Sequence, residues 1–259
     1  MKLFCHETGA GSPLVMLHGL LGSHHNLLPV AERLSAHFRV LLPDQRNHGI
    51  SPHSVEMNYE VMMTDVAELI REREIPRACV LGHSMGGKVA MHLALAHPQL
   101  VEKLVVVDMS PREYPPRFDA LLDVMLRLDL ATFRRRQEIG DALGAVVPDA
   151  ATRQFLLKNV AQDGDGRFRW RPNLTDIRAN YPGLLSAVTA DGTFDGPVLF
   201  VRGGESDFIR DEDSEQIRQL FPNASIGTIP GAKHWVHAEK AAEFVQVVDT
   251  FLKQSAANG

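Results

Sequence analysis

The sequence contains few cysteines. Its 259 residues include only two, Cys5 and Cys79. A disulfide framework needs more thiols than this, so the class of small disulfide-stapled folds is excluded. Both residues lie in or beside apolar runs, where a free cysteine usually packs as a small hydrophobe. Nothing near them resembles a metal site, and we expect no metal and no organic cofactor.

Long apolar segments are also lacking. No stretch approaches the roughly 18 consecutive apolar residues that a membrane-spanning helix needs. The opening residues, Met1–Glu7, are not followed by the apolar segment of a secretory signal. We therefore expect no membrane span, and the cytoplasm is the default localisation.

An excess of positive charge is absent too. The formal net charge is -5, which gives the chain no electrostatic reason to bind nucleic acid or an anionic membrane. The one dense basic run, Arg134–Arg136, is followed by Glu138 and Asp141, a pattern that favours a solvated helix face. We expect a small-molecule substrate as the partner, and a monomer or homodimer as the assembly.

What the sequence does contain is an alternation of short apolar runs with helix-spaced apolar patterns. This alternation predicts an α/β fold with a mostly parallel sheet covered by helices on both faces. Asn58 is expected to cap the helix that follows it. The predicted strands are Pro13–Leu17, Phe38–Leu42, Ala78–Leu81, Leu104–Val107, Pro197–Val201 and Ala224–Ile229.

The alternation stops between Pro111 and about Asp195. This segment lacks a strong strand pattern and shows amphipathic helix patterns instead. We predict an α/β core made of residues 1–110 and 196–259, with residues 111–195 inserted as a helical cap. Phe118, Leu122 and Trp170 of the cap are candidate substrate contacts, with packing inside the cap as the commoner alternative. The three amphipathic patterns are Phe118–Leu128, Ala131–Val147 and Thr152–Val160.

One pentapeptide, Gly82–Gly86, has the pattern Gly-x-Ser-x-Gly. A predicted strand leads directly into it and a helical pattern leads directly out. Such a sharp strand-to-helix turn holds the serine oxygen clear of the sheet, at a helix N-terminus that favours negative charge. Ser84 is therefore the candidate nucleophile, and the arrangement is typical of the α/β-hydrolase fold.

A second loop, His18–Gly22, follows the first predicted strand. In this fold that loop and the residue after the nucleophile each supply a backbone N–H to an oxyanion hole. We assign these donors to Leu20 and Met85. Leu21 and His18 are candidate substrate contacts. The alternative role of His18 is to fix the conformation of this loop.

The general base should follow the last strand and reach back to the serine. Twelve histidines compete for this role. His234 lies in the loop after the last predicted strand, and His237 lies at the start of the final helical region. We favour His234, with capping or loop support as the role of His237. The neighbouring Trp235 is a further candidate substrate contact.

The carboxylate that orients the base is ambiguous. Asp108 ends the strand Leu104–Val107, and Asp207 lies shortly after the strand Pro197–Val201. Both loops open at the same edge of a parallel sheet, so either carboxylate could reach His234. Position alone favours Asp207 slightly, and Glu205 is a weaker third choice.

Several motifs taken together resemble the YbfF-type bacterial esterases, relatives of mitochondrial ABHD-eleven-like hydrolases and of yeast ethanol acetyltransferases. The resemblance runs from about Leu14 to Phe251. It implies that the acid is the aspartate at the end of the strand that follows the helix after Ser84. In this sequence that aspartate is Asp108, with Asp207 as the alternative. The motifs that carry it are His18–Ser23, Asp44–Ser51, Gly82–Lys88, Val107–Pro111 and His234–Lys240.

The predicted function is a serine carboxylesterase that forms an acyl-enzyme on Ser84. The resemblance implies short- to medium-chain acyl esters or acyl-CoA thioesters as substrates. An acyltransferase or a perhydrolase would use the same three side chains. A non-catalytic binding protein on this scaffold is the alternative of another class.

Overall fold

A seven-stranded sheet organises residues 1–254, the part of the chain that the computed structural model describes. Its strands are β1 Cys5–Thr8, β2 Ser12–Leu17, β3 Phe38–Pro43, β4 Ala78–His83, β5 Val101–Val107, β8 Val198–Gly203 and β9 Ala224–Ile229. Along the sheet the strand order is β1-β3-β2-β4-β5-β8-β9. All neighbouring pairs in it are parallel except β1 with β3. The predicted mostly parallel sheet is thus confirmed.

Helices cover both faces of the sheet, because its central strands are apolar on both sides. In β2, Val15 and Leu17 pack on one face, and Leu14 and Met16 pack on the other. No helix within residues 1–254 combines the length and the apolar character needed to cross a bilayer. The helices of the core are α1 His24–Leu34, α2 Tyr59–Glu72, α3 Met85–Ala96, α8 Ser214–Leu220, α9 Val236–Glu239 and α10 Ala241–Lys253.

The parallel register places four loops side by side at one edge of the sheet. Leu17 in β2 pairs with Gly82 in β4, and His83 pairs with Val107 in β5. Because parallel strands end at the same edge, the residues that follow β2, β4, β5 and β8 meet there. This edge is where the sequence motifs converge.

Residues 111–195 form four helices and a short antiparallel ribbon. The ribbon was not expected from the sequence, which suggested helix as far as Val160. It forms because Asp163 accepts hydrogen bonds from the Asp165 and Arg167 amides and Gly166 takes a positive φ, closing a tight turn. Two three-residue strands carry too little alternation to be recognised. The elements are α4 Asp119–Arg127, α5 Arg136–Gly144, α6 Ala150–Leu157, β6 Val160–Gln162, β7 Phe168–Trp170 and α7 Leu174–Leu184.

One buried lysine ties this segment to the core. Lys88 of α3 donates to the carbonyl oxygen of Arg112 at 2.9 Å and to that of Ser186. Its ammonium lies 4.9 Å from the centre of the Tyr114 ring. Burial lowers the pKa of Lys88 to about 7. The two ends of the segment are therefore held to α3, the helix that directly follows Ser84.

Candidate active site

Ser84 occupies the strained turn between β4 and α3. Its φ is 53° and its ψ is -119°, a combination that L-residues rarely adopt. The turn closes only because glycine flanks it. A Cβ on Gly82 would lie 2.1 Å from the Gly86 carbonyl oxygen, and one on Gly86 would lie 2.5 Å from that of Leu17. The sequence pattern therefore reflects direct steric exclusion around the serine.

His234 lies in the loop between β9 and α9 and reaches back to the serine. Its Nε2 is 3.0 Å from Ser84 Oγ, and its Nδ1 is 2.8 Å from Asp108 Oδ2. A carboxylate at Nδ1 favours the tautomer with the proton on Nδ1, which leaves Nε2 free to accept from the hydroxyl. The Phe208 ring stacks on the imidazole with 3.7 Å between ring centres. The imidazole of His234 is thus held by Asp108 at Nδ1 and by the Phe208 ring on one face.

Asp108 follows β5 and is completely buried. Like Ser84, it has a positive φ, of 47°. Its Oδ1 accepts from the Gly203 amide at 3.0 Å, and its Oδ2 accepts from the Ser206 hydroxyl as well as facing His234. These donors fix the direction of the carboxylate toward the imidazole.

Asp207 points elsewhere. Both of its oxygens accept from Arg117, each at 2.7 Å, and its side chain is 59% exposed. The hydrogen bonds from Arg117 lower the pKa of Asp207 to about 2. Glu205 is also exposed. The structure therefore brings Asp108 to His234 and leaves Asp207 at the surface.

Two other histidines lie behind His234. The Nε2 of His83 is 2.9 Å from the carbonyl oxygen of His234. The His237 ring packs against His83 with 4.5 Å between centres. Burial lowers the pKa of His237 to about 3. A neutral, buried His237 suits loop support.

The loop after β2 passes directly over the nucleophile. A Cβ on Gly19 would lie 3.2 Å from Ser84 Cβ. Within residues 1–254, the backbone amides of Leu20 and Met85 donate to no other protein group. His18 is 1% exposed, with Nδ1 2.9 Å from the Gly19 carbonyl oxygen and Nε2 accepting from the Gln45 amide at 3.0 Å. The site thus offers two unpaired N–H groups beside a serine.

Comparisons with known proteins agree with this arrangement. The sequence profile described as the alpha/beta hydrolase family matches residues 14–247. The chain belongs to this family. The zebrafish (Danio rerio) protein named sn-1-specific diacylglycerol lipase ABHD11 is 40% identical, over 95% of this chain and 80% of the relative. Esterase YbfF of Escherichia coli is 32% identical, over 93% of each chain.

A solved structure described as a marine microorganism esterase has the same architecture. It is 38% identical, has a TM-score of 0.95, and the match covers 96% of this chain and 99% of that one. These findings confirm the α/β-hydrolase fold and the resemblance to YbfF-type esterases that the motifs suggested.

A cleft of about 940 Å³ opens above Ser84 in this hydrolase. Among the predicted substrate contacts, four line it: His18, Leu21, Phe118 and Trp235. The structure does not bring Leu122 and Trp170 to it. Leu122 is fully buried in the hydrophobic cluster that the 111–195 segment shares with the sheet and its helices, and Trp170 donates its indole N–H to the Met125 carbonyl oxygen at 3.1 Å. Both side chains therefore contribute to packing.

The buried histidines of this hydrolase predict acid sensitivity. Burial lowers the pKa of His237 to about 3, against about 6.5 in an unfolded chain. Between these values the unfolded state binds a proton that the folded state does not, so stability falls as the pH falls through this window. From pH 7 to pH 5, His237 should remove roughly 2 kcal/mol from the free energy of unfolding.

Urea unfolding of His237→Gln at pH 7 and pH 5 measures this contribution. The variant should lose less stability on acidification than the wild type. His37→Gln is the control, because His37 is exposed. Equal acid sensitivity of wild type and His237→Gln would show that His237 accepts a proton in the folded state.

Proposed function

We propose that this hydrolase is a serine carboxylesterase that forms an acyl-enzyme on Ser84. The observation that carries the proposal is the continuous path from Asp108 through His234 to Ser84, with contacts of 2.8 and 3.0 Å. The relatives named as an esterase and as a diacylglycerol lipase support ester bonds as the target. No step of the reaction requires a cofactor.

The proposed first step transfers the Ser84 proton to His234 Nε2 as Oγ attacks the acyl carbon. The carbonyl oxygen becomes an oxyanion and accepts hydrogen bonds from the Leu20 and Met85 amides. His234 then protonates the departing alcohol oxygen, leaving the acyl group on Ser84. Water, deprotonated by His234, releases the acid in the second half of the cycle. Asp108 stabilises the imidazolium throughout.

Replacing Ser84 tests the proposal directly. Ser84→Ala should reduce the turnover of p-nitrophenyl acetate by roughly a thousandfold or more, because no other hydroxyl is held against His234 in residues 1–254. Release of p-nitrophenolate gives the rate. Ser225→Ala is the matched control, since Ser225 is an exposed residue of β9. Turnover at the wild-type rate in Ser84→Ala would rule out the proposed nucleophile.

Paired asparagine substitutions test the acid. Asp108→Asn should lower kcat by about 10⁴-fold, because the amide would favour the wrong imidazole tautomer. Asp207→Asn should change kcat less than about threefold, because the exposed ion pair of Asp207 with Arg117 is separate from the Asp108–His234–Ser84 contacts. Steady-state kinetics on one ester distinguishes the two. A large loss in Asp207→Asn together with a small loss in Asp108→Asn would reverse the assignment.

Two unequal spaces meet at Ser84, and they bear on the substrate range. The cleft of about 940 Å³ has His234 in its wall. A second space of about 40 Å³ also borders Ser84 and does not include His234 in its lining. Because His234 must protonate the leaving oxygen, we assign the alcohol to the large cleft and the acyl chain to the small one. The small space is lined by Leu20, Tyr59, Ser84, Met85, Met109, Tyr114, Pro115, Arg117, Phe118, Tyr181, Leu184, Leu185 and Phe208.

The volume of the small space limits the acyl chain. A cavity needs about 10–15 Å³ to hold one water molecule, and a methylene group is of similar size. The 40 Å³ space therefore accommodates about three methylene-sized groups beyond the carbonyl carbon. This corresponds to acyl groups up to about butanoyl. The alcohol, in the larger cleft, can be much bulkier.

A chain-length series tests this division. With p-nitrophenol as a constant leaving group, kcat/KM should fall at least tenfold from butanoate to octanoate. Met109→Ala should reduce that fall, because Met109 lines the small space and is buried. Met63→Ala is the control, since Met63 is a partly buried core methionine outside both spaces. A wild-type preference for octanoate over butanoate would place the acyl chain in the large cleft instead.

A further inference from the structure

Asn159, between α6 and β6, reaches from the 111–195 segment to the loop over the serine. Its Nδ2 donates to the Leu21 carbonyl oxygen at 2.6 Å. Asn159 is 2% exposed, and its own backbone is held on both sides. Its N–H donates to the Leu156 carbonyl oxygen at 2.9 Å, and its carbonyl oxygen accepts from the Arg171 amide at 2.8 Å. The side chain is therefore a fixed donor aimed at Leu21.

Leu21 is an unusual place for such a contact. Its φ is 58°, a region that costs a non-glycine residue free energy and persists only when the surroundings impose it. The Leu21 amide donates to His48 Nε2 at 3.1 Å. His48 Nδ1 lies 2.9 Å from the Arg46 carbonyl oxygen, so Nδ1 carries the proton and Nε2 accepts. Two buried side chains thus hold the N–H and the C=O of one strained residue.

Two peptide groups connect this contact to Leu20. In the Leu21–Gly22 peptide, the C=O accepts from Asn159 and the N–H of Gly22 donates to the Gly19 carbonyl oxygen at 2.9 Å. That Gly19 oxygen belongs to the same planar peptide as the Leu20 N–H. The C=O and N–H of a trans peptide point in opposite directions, so fixing the Gly19 oxygen fixes the direction of the Leu20 N–H.

We infer that Asn159 is a positioning residue for the oxyanion hole. By holding the Leu21 carbonyl oxygen it keeps the Leu20 N–H directed at the position where the oxyanion forms. Because Asn159 belongs to the 111–195 segment, the oxyanion hole is fully assembled only when that segment packs against the core. The inference rests on the proposed function, since it gives Leu20 the role of donor. It adds a residue 138 positions distant in sequence that touches no reacting atom.

Asn159→Asp tests the inference with almost no change in side-chain volume. The carboxylate cannot donate to the Leu21 carbonyl oxygen, so the Leu21–Gly22 peptide loses its buried donor and the Gly19 carbonyl oxygen is left mainly to His18 Nδ1, which lies 2.9 Å from it. We expect kcat to fall about 10- to 100-fold, less than the 10²- to 10³-fold typical of deleting a donor, while KM changes less than about threefold. The affinity for an alkyl boronic acid, which forms a tetrahedral adduct on serine, should fall by the same factor as kcat/KM.

Asn180→Asp is the matched control. Asn180 is also an asparagine of the 111–195 segment, and its Nδ2 donates to the Val55 carbonyl oxygen of the core at 2.8 Å. Unlike Asn159, it does not contact the loop His18–Gly22. It should leave kcat and boronic acid affinity within twofold of the wild type. Rates are expressed per active site, titrated with a fluorophosphonate, so that partial unfolding does not imitate a catalytic loss. Asn159→Ala replaces Asn159→Asp should the latter fail to fold.

A double substitution strengthens the test. His48→Gln loosens the other side of Leu21, so Asn159→Asp in that background should cost much less than it does alone. Unchanged kcat in Asn159→Asp, or a rise in KM with kcat retained, would overturn the inference. Failure of the proposed function looks different, because Ser84→Ala would then turn over esters as the wild type does.

Discussion

The parallel register of β2, β4, β5 and β8 is the constraint on which the candidate site depends. It brings the ends of four strands to one edge of the sheet. There β2 is followed by the loop that carries the Leu20 N–H, β4 by Ser84 and β5 by Asp108. The end of β8 supplies a donor that holds Asp108. Ser84 and Asp108 both adopt positive φ values at their strand ends. The sheet behind them is packed on both faces, and this packing sustains the local strain.

Buried histidines form much of the support around this edge. His18 and His48 each use both ring nitrogens, and together they connect the loop His18–Gly22 to the residues that follow β3. His83 contacts the backbone carbonyl oxygen of His234. Burial lowers the pKa of His48 to about 3, as it does for His237, so these rings remain neutral and can accept as well as donate. A neutral imidazole with one donor and one acceptor suits a connection between two backbone groups.

The sequence was informative where function depends on adjacent residues and less so where it depends on packing. Ser84 could be predicted because glycine, strand and helix surround it within one short stretch. Asp108 and Asp207 could not be separated by position, since both follow strands ending at the same edge. What separates them is Arg117, which pairs with Asp207 at the surface. Asn159 gave no sequence signal, because its partner Leu21 is distant in the chain, and the β6–β7 ribbon was too short to show alternation.

The central claim is a covalent acyl-enzyme on Ser84. Rapid mixing with p-nitrophenyl 2-methylpropanoate, followed by acid quenching and mass spectrometry, tests it most directly, because the branched acyl group has only three carbons beyond the carbonyl carbon and hinders the attack of water in the second half-reaction. The account predicts a burst of about one p-nitrophenolate per chain and a single added acyl group on the peptide that contains Ser84. Turnover without a burst and without an adduct, or an adduct on a different residue, would contradict it.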